Sequence, residues 1–197
     1  MNNINNQIKN FIESFKDSLS NLDINKIESL AKQLINLRSS NGRLFLMGVG
    51  GSSGNCSHAV NDFRKLCKIQ AFSPTDNVSE ITARINDDGW ENSYRDWLQD
   101  SNIDSNDALF VMSVGGGDLE KKVSVNLIKS IEFAKTKNTK VFSIVGREEG
   151  FAYKNSDISI LVKSPKNLKT PTTESMQVVI WHILVSLKEL MKIDTKW

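Results

Sequence analysis

The chain contains only two histidines, and the first stands at helical spacing from a carboxylate. His58 precedes Asp62 by four residues, with Asn61 at the third position. In a helix these side chains lie on one face, because residues three or four apart are surface neighbours. An imidazole and a carboxylate placed in this way can share a proton or bind a metal ion. An ordinary pair on a helix surface is the alternative that the sequence leaves open.

The second histidine, His182, lies in the apolar run Val-Ile-Trp-His-Ile-Leu. A histidine in such a run often packs in the core without any chemical role, and this alternative stays open. Glu174 lies at the start of the same predicted helix, where a carboxylate favours the positive end of the helix dipole. Both residues are therefore candidates for chemistry, and each has a structural alternative.

Three segments that follow apolar runs are rich in glycine or serine. The first, 48–55, precedes a predicted helix, and its small residues and helix N-terminus predict a phosphate site. It matches neither a Walker A loop nor the Gly-x-Gly-x-x-Gly pattern. The second, 113–118, has three consecutive glycines and favours close approach of a ligand, with a flexible loop as the alternative. The third, 146–150, is typical of a polar turn.

These loops belong to a pattern in which short apolar strands alternate with helices. Apolar runs predict strands at 43–49, 107–113, 140–145 and 157–162, and a weaker one near 71–72. Helices are expected at 53–68, 91–100, 123–137 and 174–192, with all three prolines in connections. Strands that are buried on both faces are typical of a parallel sheet, so the pattern predicts an open three-layer α/β fold. Ligands bind such folds at the carboxyl ends of the strands.

Apolar residues in 4–37 recur at spacings of three and four, as in amphipathic helices. A break near 20–22 divides this segment, and Asp23 is a suitable N-cap for its second half. We therefore expect a helical hairpin over 1–38 and an α/β body over 39–197. The apolar stripes of the hairpin need a partner, either the body or another subunit.

Composition excludes several classes of protein. The 197 residues carry 25 basic and 23 acidic side chains, a net charge of +2, which does not favour a nucleic-acid or membrane partner. Cys56 and Cys67 both fall in the helix predicted at 53–68 and are too far apart along it for a disulfide. A reduced, cytoplasmic protein is expected. The sequence has no signal-peptide pattern and no apolar run long enough to span a membrane.

Taken in order, these features resemble the sugar isomerase (SIS) domain family, and within it the phosphoheptose isomerases. The resemblance rests on order and spacing over nearly the whole chain rather than on one motif. Its elements are Gly48-x-Gly50-Gly51-Ser52 with His58, Asn86-Asp87-x-Gly89, Ser113, Gly146, and His182-Ile-Leu.

The resemblance implies a five-stranded parallel sheet between helices, preceded by the hairpin as one SIS domain, and a homotetramer with active sites between subunits. The implied reaction converts sedoheptulose 7-phosphate to D-glycero-D-manno-heptose 7-phosphate through an enediol, in heptose synthesis for lipopolysaccharide or capsule, with no nucleotide cofactor. Asp62 and His182 match catalytic positions, with Glu174 as a second carboxylate. His58, Asp62, Glu174 and His182 match the zinc ligands of some members. The implied substrate and phosphate contacts are Gly50, Gly51, Ser52, Ser53, Asp87, Ser113, Gly115, Gly116 and Ser124.

The sequence departs from the family pattern at the site. Val49 replaces an asparagine, Asp62 a glutamate and Glu174 a glutamine, and the phosphate loop Ser-Thr-Ser-Gly-Asn-Ser becomes Ser113-Val-Gly-Gly-Gly with an insertion before Ser124. The loop loses two hydroxyl contacts, for which backbone N–H groups or the lysines at 121–122 are candidate replacements. These changes indicate a variant site. An isomerase of another phosphosugar, or a non-catalytic SIS module that binds a sugar phosphate or a protein, are the alternatives.

Overall fold

The computed structural model describes residues 2–193; Met1 and 194–197, the ends of the predicted hairpin and body, lie outside the described part. Five parallel strands form one sheet in the order β2-β1-β3-β4-β5. The strands are β1 (Arg43–Met47), β2 (Gln70–Phe72), β3 (Ala108–Ser113), β4 (Lys140–Val145) and β5 (Ile158–Leu161). The predicted open α/β fold is confirmed, including the weak strand near 71–72.

Eight α-helices accompany the sheet in the described part of the chain. They are α1 (Asn2–Ser20), α2 (Ile24–Ser39), α3 (Gly51–Lys65), α4 (Val78–Asp88), α5 (Ser93–Asp100), α6 (Val125–Thr136), α7 (Phe151–Asn155) and α8 (Lys169–Ser186). The first two form the predicted hairpin, and the Asp23 side chain accepts a hydrogen bond from the N–H of Lys26 at 3.1 Å. Among residues 2–193, no helix is long and apolar enough to cross a membrane.

The sheet separates two hydrophobic cores, which makes the molecule three layers thick. Side chains of β1 alternate between them: Leu44 and Leu46 pack with α2, α3 and α8, whereas Phe45 and Met47 pack with α5, α6 and α7. This alternation follows from the two-residue period of a strand. Burial on both faces explains why the strands read as continuous apolar runs.

Three local expectations were wrong. Cys67 lies in the turn after α3 rather than within a helix, although both cysteines are free and buried. Pro171 lies in the first turn of α8 rather than in a connection, a position that proline tolerates because the first N–H groups of a helix have no intrahelical partner. Val123 lies before α6, in an isolated bridge with Asp118.

Candidate active site

The turn from β1 into α3 needs glycine at two positions. A Cβ on Gly48 would meet the backbone carbonyl of Ser52 at 2.6 Å, and Gly50 has φ of +63°, a conformation that other residues rarely adopt. From the opposite face of the sheet, the Tyr94 hydroxyl donates to the Gly48 carbonyl at 2.9 Å. Tyr94 therefore holds the loop from one face of the sheet. The loop is open at Gly50, where a Cβ would meet no atom within 4 Å.

His58, Asp62 and His182 converge on one surface between α3 and α8. The Asp62 Oδ2 lies 4.0 Å from the Nε2 of His58 and 3.8 Å from the Nε2 of His182. The two imidazole rings are nearly perpendicular, with centroids 5.8 Å apart. We call these three residues the imidazole–carboxylate cluster. The sequence predicted that His58 and Asp62 share a helix face, and the packing of α8 on α3 adds His182.

Neighbouring side chains fix the orientation of the cluster. The Asn61 side chain donates to Asp62 Oδ1 at 2.8 Å, which leaves Oδ2 directed toward the two histidines. The buried Trp181 ring lies 4.7 Å from the His58 ring and 3.5 Å from the His182 ring. The Asp62 side chain is only 15% exposed, whereas His58 and His182 are 60% and 47% exposed. The cluster is thus a mostly buried carboxylate beside two more exposed imidazoles.

The donor set of the cluster fits a metal ion. Ligand atoms of all three residues lie within 4.8 Å of one another. A zinc ion with bonds of about 2.0–2.2 Å to a tetrahedral set needs ligand atoms about 3.3–3.6 Å apart. The two distances from Asp62 to the histidines, 4.0 and 3.8 Å, would shorten by a few tenths of an ångström on binding. The two imidazoles would also have to approach each other, and the three residues would then fill three of the four positions. Two imidazoles and a carboxylate with an open fourth position are typical of catalytic zinc.

Glu174 does not join the cluster within one chain. It precedes His182 by eight residues, or about 12 Å along α8 at the rise of an α-helix. Its carboxylate instead lies against the start of α3, where a Cβ on Gly51 would meet Glu174 Oε2 at 2.6 Å. Glu174 therefore faces the first glycine loop. This loop and the imidazole–carboxylate cluster lie at opposite ends of the surface between α3 and α8.

A hydrogen-bond chain joins the start of α3 to α8 at the glycine-loop end of this surface. Gln177 is fully buried, donates to the Ser52 hydroxyl at 3.0 Å and accepts from Asn55 at 2.9 Å. Asn55 also donates to the Glu174 carbonyl at 2.9 Å. The predicted phosphate residue Ser52 is thus itself buried and held by α8. Sequence reasoning missed Asn55 and Gln177, because a polar residue on a helix gives no sign of which helix it will meet.

A hydroxyl cluster flanks the first loop on the side of β2. The Ser53 hydroxyl contacts that of Thr75 at 3.0 Å, and Ser73 lies 3.1 Å from the same oxygen. Ser73 and Thr75 follow the carboxyl end of β2, so they share the sheet edge with the glycine loops. The sequence singled out Ser53 but not its partners, because β2 is short and its end was hard to place.

Several polar groups of the second glycine loop are hydrogen-bonded within the chain. The Gly116 N–H donates to the Ser113 hydroxyl at 3.0 Å, which engages this N–H and leaves the Ser113 O–H able to donate. Carbonyls of Gly116 and Gly117 accept from the start of α7, at 2.8 and 3.1 Å. Gly115 stays approachable, since a Cβ there would meet no atom within 4 Å. Ser124 follows with φ of +52° and its side chain does not cap α6.

Asp87, a predicted substrate contact, is exposed, whereas both cysteine thiols are buried. Asp87 lies exposed in the last turn of α4, where its carboxylate accepts from the Asn86 side chain at 2.7 Å.

Burial raises the pKa of the Cys56 thiol above its usual range, and burial raises the pKa of Cys67 to about 11. Neither thiol is therefore a nucleophile at neutral pH, since the thiolate is the reactive form.

Several known proteins are similar in sequence to this chain. The chain is 27% identical over 190 residues to the phosphoheptose isomerase of Helicobacter pylori, covering 92% of this chain and 93% of that one. It is 28% identical over 185 residues to a probable phosphoheptose isomerase of Thermoplasma volcanium, covering 91% and 89%. The chain resembles the phosphoheptose isomerases. No family model matches it.

The same likeness extends to the fold. The phosphoheptose isomerase of Neisseria gonorrhoeae superposes with a TM-score of 0.78 at 18% identity, over 92% of this chain and 94% of that one. The αβα sandwich and the leading helices are thus those of SIS-domain structures, as the sequence predicts. At 18% identity the structural similarity supports the fold alone. The chemistry is inferred from the residues of the site.

Proposed function

We propose that this chain is a phosphosugar aldose–ketose isomerase that interconverts sedoheptulose 7-phosphate and D-glycero-D-manno-heptose 7-phosphate. The observation that carries the proposal is the imidazole–carboxylate cluster. A chain that only binds a sugar phosphate has no need of a carboxylate 3.8 Å from an accessible imidazole. The names of the relatives point to the same reaction class and supply the substrate.

The reaction moves one proton between neighbouring carbons. Asp62 removes the proton next to the carbonyl, and an enediol forms. His182 protonates the carbonyl oxygen as the enediol forms. Asp62 then gives its proton to the former carbonyl carbon while His182 takes back a proton from the hydroxyl of the neighbouring carbon, so that an aldose becomes a ketose or the reverse. A carboxylate is one of the side chains that act as a general base. Asn61 positions the base through its hydrogen bond to Oδ1.

A zinc ion would be held by His58, Asp62 and His182, with Glu174 as the remaining family position. When bound, such an ion polarises a carbonyl and stabilises negative charge on its oxygen. Glu174 lies about 12 Å from His182 in the same chain, so a second subunit would have to supply it. This is the arrangement expected if sites form between subunits of a homotetramer.

The substrate's phosphate would bind at the carboxyl edge of the sheet. Gly50 and Gly115 leave backbone open to a ligand, and Ser53 and Ser124 contribute hydroxyls there. Binding of the phosphate far from the reacting carbons orients the sugar and converts binding energy into rate.

The test is direct. Purified protein is incubated with sedoheptulose 7-phosphate and the aldose product is followed by NMR, with and without chelator and added zinc. Conversion is expected, and Asp62→Asn or His182→Ala should abolish it while Asp17→Asn, an exposed carboxylate on α1, leaves it unchanged. Wild-type activity in either cluster variant would contradict the assignment.

An isomerase of a different phosphosugar is the second candidate. The second glycine loop favours it, because the Gly116 N–H is engaged with the Ser113 hydroxyl rather than free for a phosphate. A panel of C5, C6 and C7 ketose phosphates in the same assay separates the candidates, since kcat/KM should be highest for the natural chain length.

A further inference from the structure

A cationic cleft lies at the carboxyl edge of the sheet, beyond β4 and β5. It has a volume of about 390 Å³ and is lined by Arg147, Glu149, Ser164, Lys166 and Lys169. These residues come from the third glycine loop, from the connection after β5 and from the start of α8. The sequence suggested only a polar turn at 146–150, so the function proposed above makes no use of this cleft.

Three cations face one carboxylate in the cleft. The Lys169 ammonium is fixed by donating to the Gly146 carbonyl at 2.7 Å. The Arg147 Nε lies 3.7 Å from Glu149 Oε2, beyond a hydrogen bond. Backbone hydrogen bonding holds the pKa of the Glu149 carboxyl below its usual value, and the charges of Arg147 and Lys169 lower this pKa further. Arg147 and Lys169 therefore both act on the Glu149 carboxylate. Together with Lys166 they give the cleft three positive charges against one negative charge.

The cleft also has a neutral donor without a partner. The Ser164 hydroxyl is buried and makes no hydrogen bond to any described residue. Buried hydroxyls are nearly always hydrogen-bonded, so one that lines a cationic cleft indicates an acceptor missing from the chain itself. The Thr173 hydroxyl, one turn into α8 and fully buried, also has no hydrogen-bond partner among residues 2–193.

We propose that this cleft binds a phosphate group, held by Arg147, Lys166 and Lys169 with the Ser164 hydroxyl as a donor. Guanidinium and ammonium groups are the usual partners of phosphate oxygens. None of these four residues is among the phosphate contacts predicted at Ser52, Ser113 and Ser124, and the inference goes beyond the proposed isomerase. It does not depend on that activity.

Distance limits what the bound group can be. Lys169 precedes His182 by thirteen residues, about 20 Å along α8, which is longer than a heptose phosphate. Lys169 precedes Glu174 by only five residues, about 7.5 Å. The phosphate in the cleft is therefore either that of a substrate whose sugar lies toward Glu174, or a separate phosphate that shares no sugar with the cluster of the same chain.

Equilibrium dialysis with radiolabelled inorganic phosphate at low ionic strength tests the proposal. Arg147→Gln combined with Lys166→Gln should weaken phosphate affinity at least fivefold. The matched control, Lys188→Gln with Lys192→Gln, removes the same charge from exposed positions outside the cleft and should change affinity less than twofold. Equal affinity in the cleft variant and the wild-type protein would overturn the proposal, as would equal losses in both double variants.

Two further arms complete the experiment. Lys166→Gln alone, at an exposed side chain, should weaken binding in the same direction if the double variant does not fold. Sedoheptulose 7-phosphate is then added in excess. Displacement of the labelled phosphate from the cleft identifies it as a substrate subsite, and retention identifies a separate anion. Inactivity of the protein as an isomerase would leave the affinity comparison intact, so the two proposals fail independently.

Discussion

At the residue scale, the proposed mechanism depends on how Asp62 is held. One oxygen accepts from Asn61 and the other faces the two histidines. Asn61→Ala keeps the base but frees its orientation. We expect kcat/KM to fall by roughly 10- to 100-fold, the usual effect of losing an outer partner of a ligating or catalytic group. A loss comparable to that of Asp62→Asn, measured in the same NMR assay, would mean that Asn61 contacts the substrate itself.

Tyr94 gives a second prediction at this scale. Burial raises the pKa of its phenol to about 12, so the folded state favours the protonated form. Its contribution to stability is present below the unfolded pKa of about 10 and is lost as the pH rises toward 12. The wild-type protein should lose on the order of 2 kcal/mol of unfolding free energy over this range relative to Tyr94→Phe.

Urea unfolding at pH 8, 10 and 11.5 measures this difference. At pH 8 the phenylalanine variant should be less stable by about 1 kcal/mol, because the buried Gly48 carbonyl loses a donor. The gap should close or reverse at pH 11.5. A gap that is constant with pH would contradict the assigned shift.

The chemistry of single residues was partly readable from sequence. His58 and Asp62 were predictable because they belong to one helix, whose geometry fixes their separation. His182 could be placed beside them only through the resemblance, since the contact depends on how α8 crosses α3. The role of Gln177 was not predictable, because its two partners, Ser52 and Asn55, are more than a hundred residues away in the chain.

At the element scale, the pairing of α3 with α8 builds the site, and Gln177 is its central polar contact. Gln177→Ala would leave the buried Ser52 hydroxyl and the Asn55 amide each short of a partner. We expect a loss of about 1–3 kcal/mol per unsatisfied group, measured by urea unfolding. The control Gln99→Ala, on α5, should stay within about 0.5 kcal/mol. Equal effects would mean that this contact does not join the helices.

Strands were easier to predict than helices. Each of β1, β3, β4 and β5 is a mostly apolar run, and the predicted bounds differ by two residues at most. Helix α4 was missed because its large apolar residues are few: Val78, Ile81 and Ile85 recur at helical spacing, but Ile81 is the one that is buried. Helix α7 has five residues, too few for a pattern. The start of α8 was placed too late because Pro171 suggested a connection.

At the scale of the whole molecule, α1 exposes an apolar stripe. Ile4, Ile8 and Ile12 are 69%, 56% and 47% exposed, and Phe11 and Leu19 continue the stripe. Burying it against other subunits is the role that the resemblance implies for the hairpin. Light scattering after size exclusion should give four times the 22.1 kDa of one chain.

A paired substitution on this stripe tests whether the assembly depends on it. Ile8→Glu with Ile12→Glu should yield a smaller species, whereas Lys9→Glu with Lys16→Glu, on the same helix, should not. Since Glu174 is far from the cluster of its own chain, the smaller species should also lose activity. A fully active monomer would contradict sites shared between subunits.

The central claim is that Asp62 and His182 move a proton between neighbouring carbons of a ketose phosphate. Conversion of sedoheptulose 7-phosphate in D₂O, followed by proton and carbon NMR, tests it most directly. We expect the wild-type protein to form the aldose with solvent deuterium at C2, and Asp62→Asn to form neither the product nor deuterated substrate above background. Product without deuterium throughout the reaction would exclude exchange from an enediol, and deuterium incorporation that survives in Asp62→Asn would show that another residue is the base.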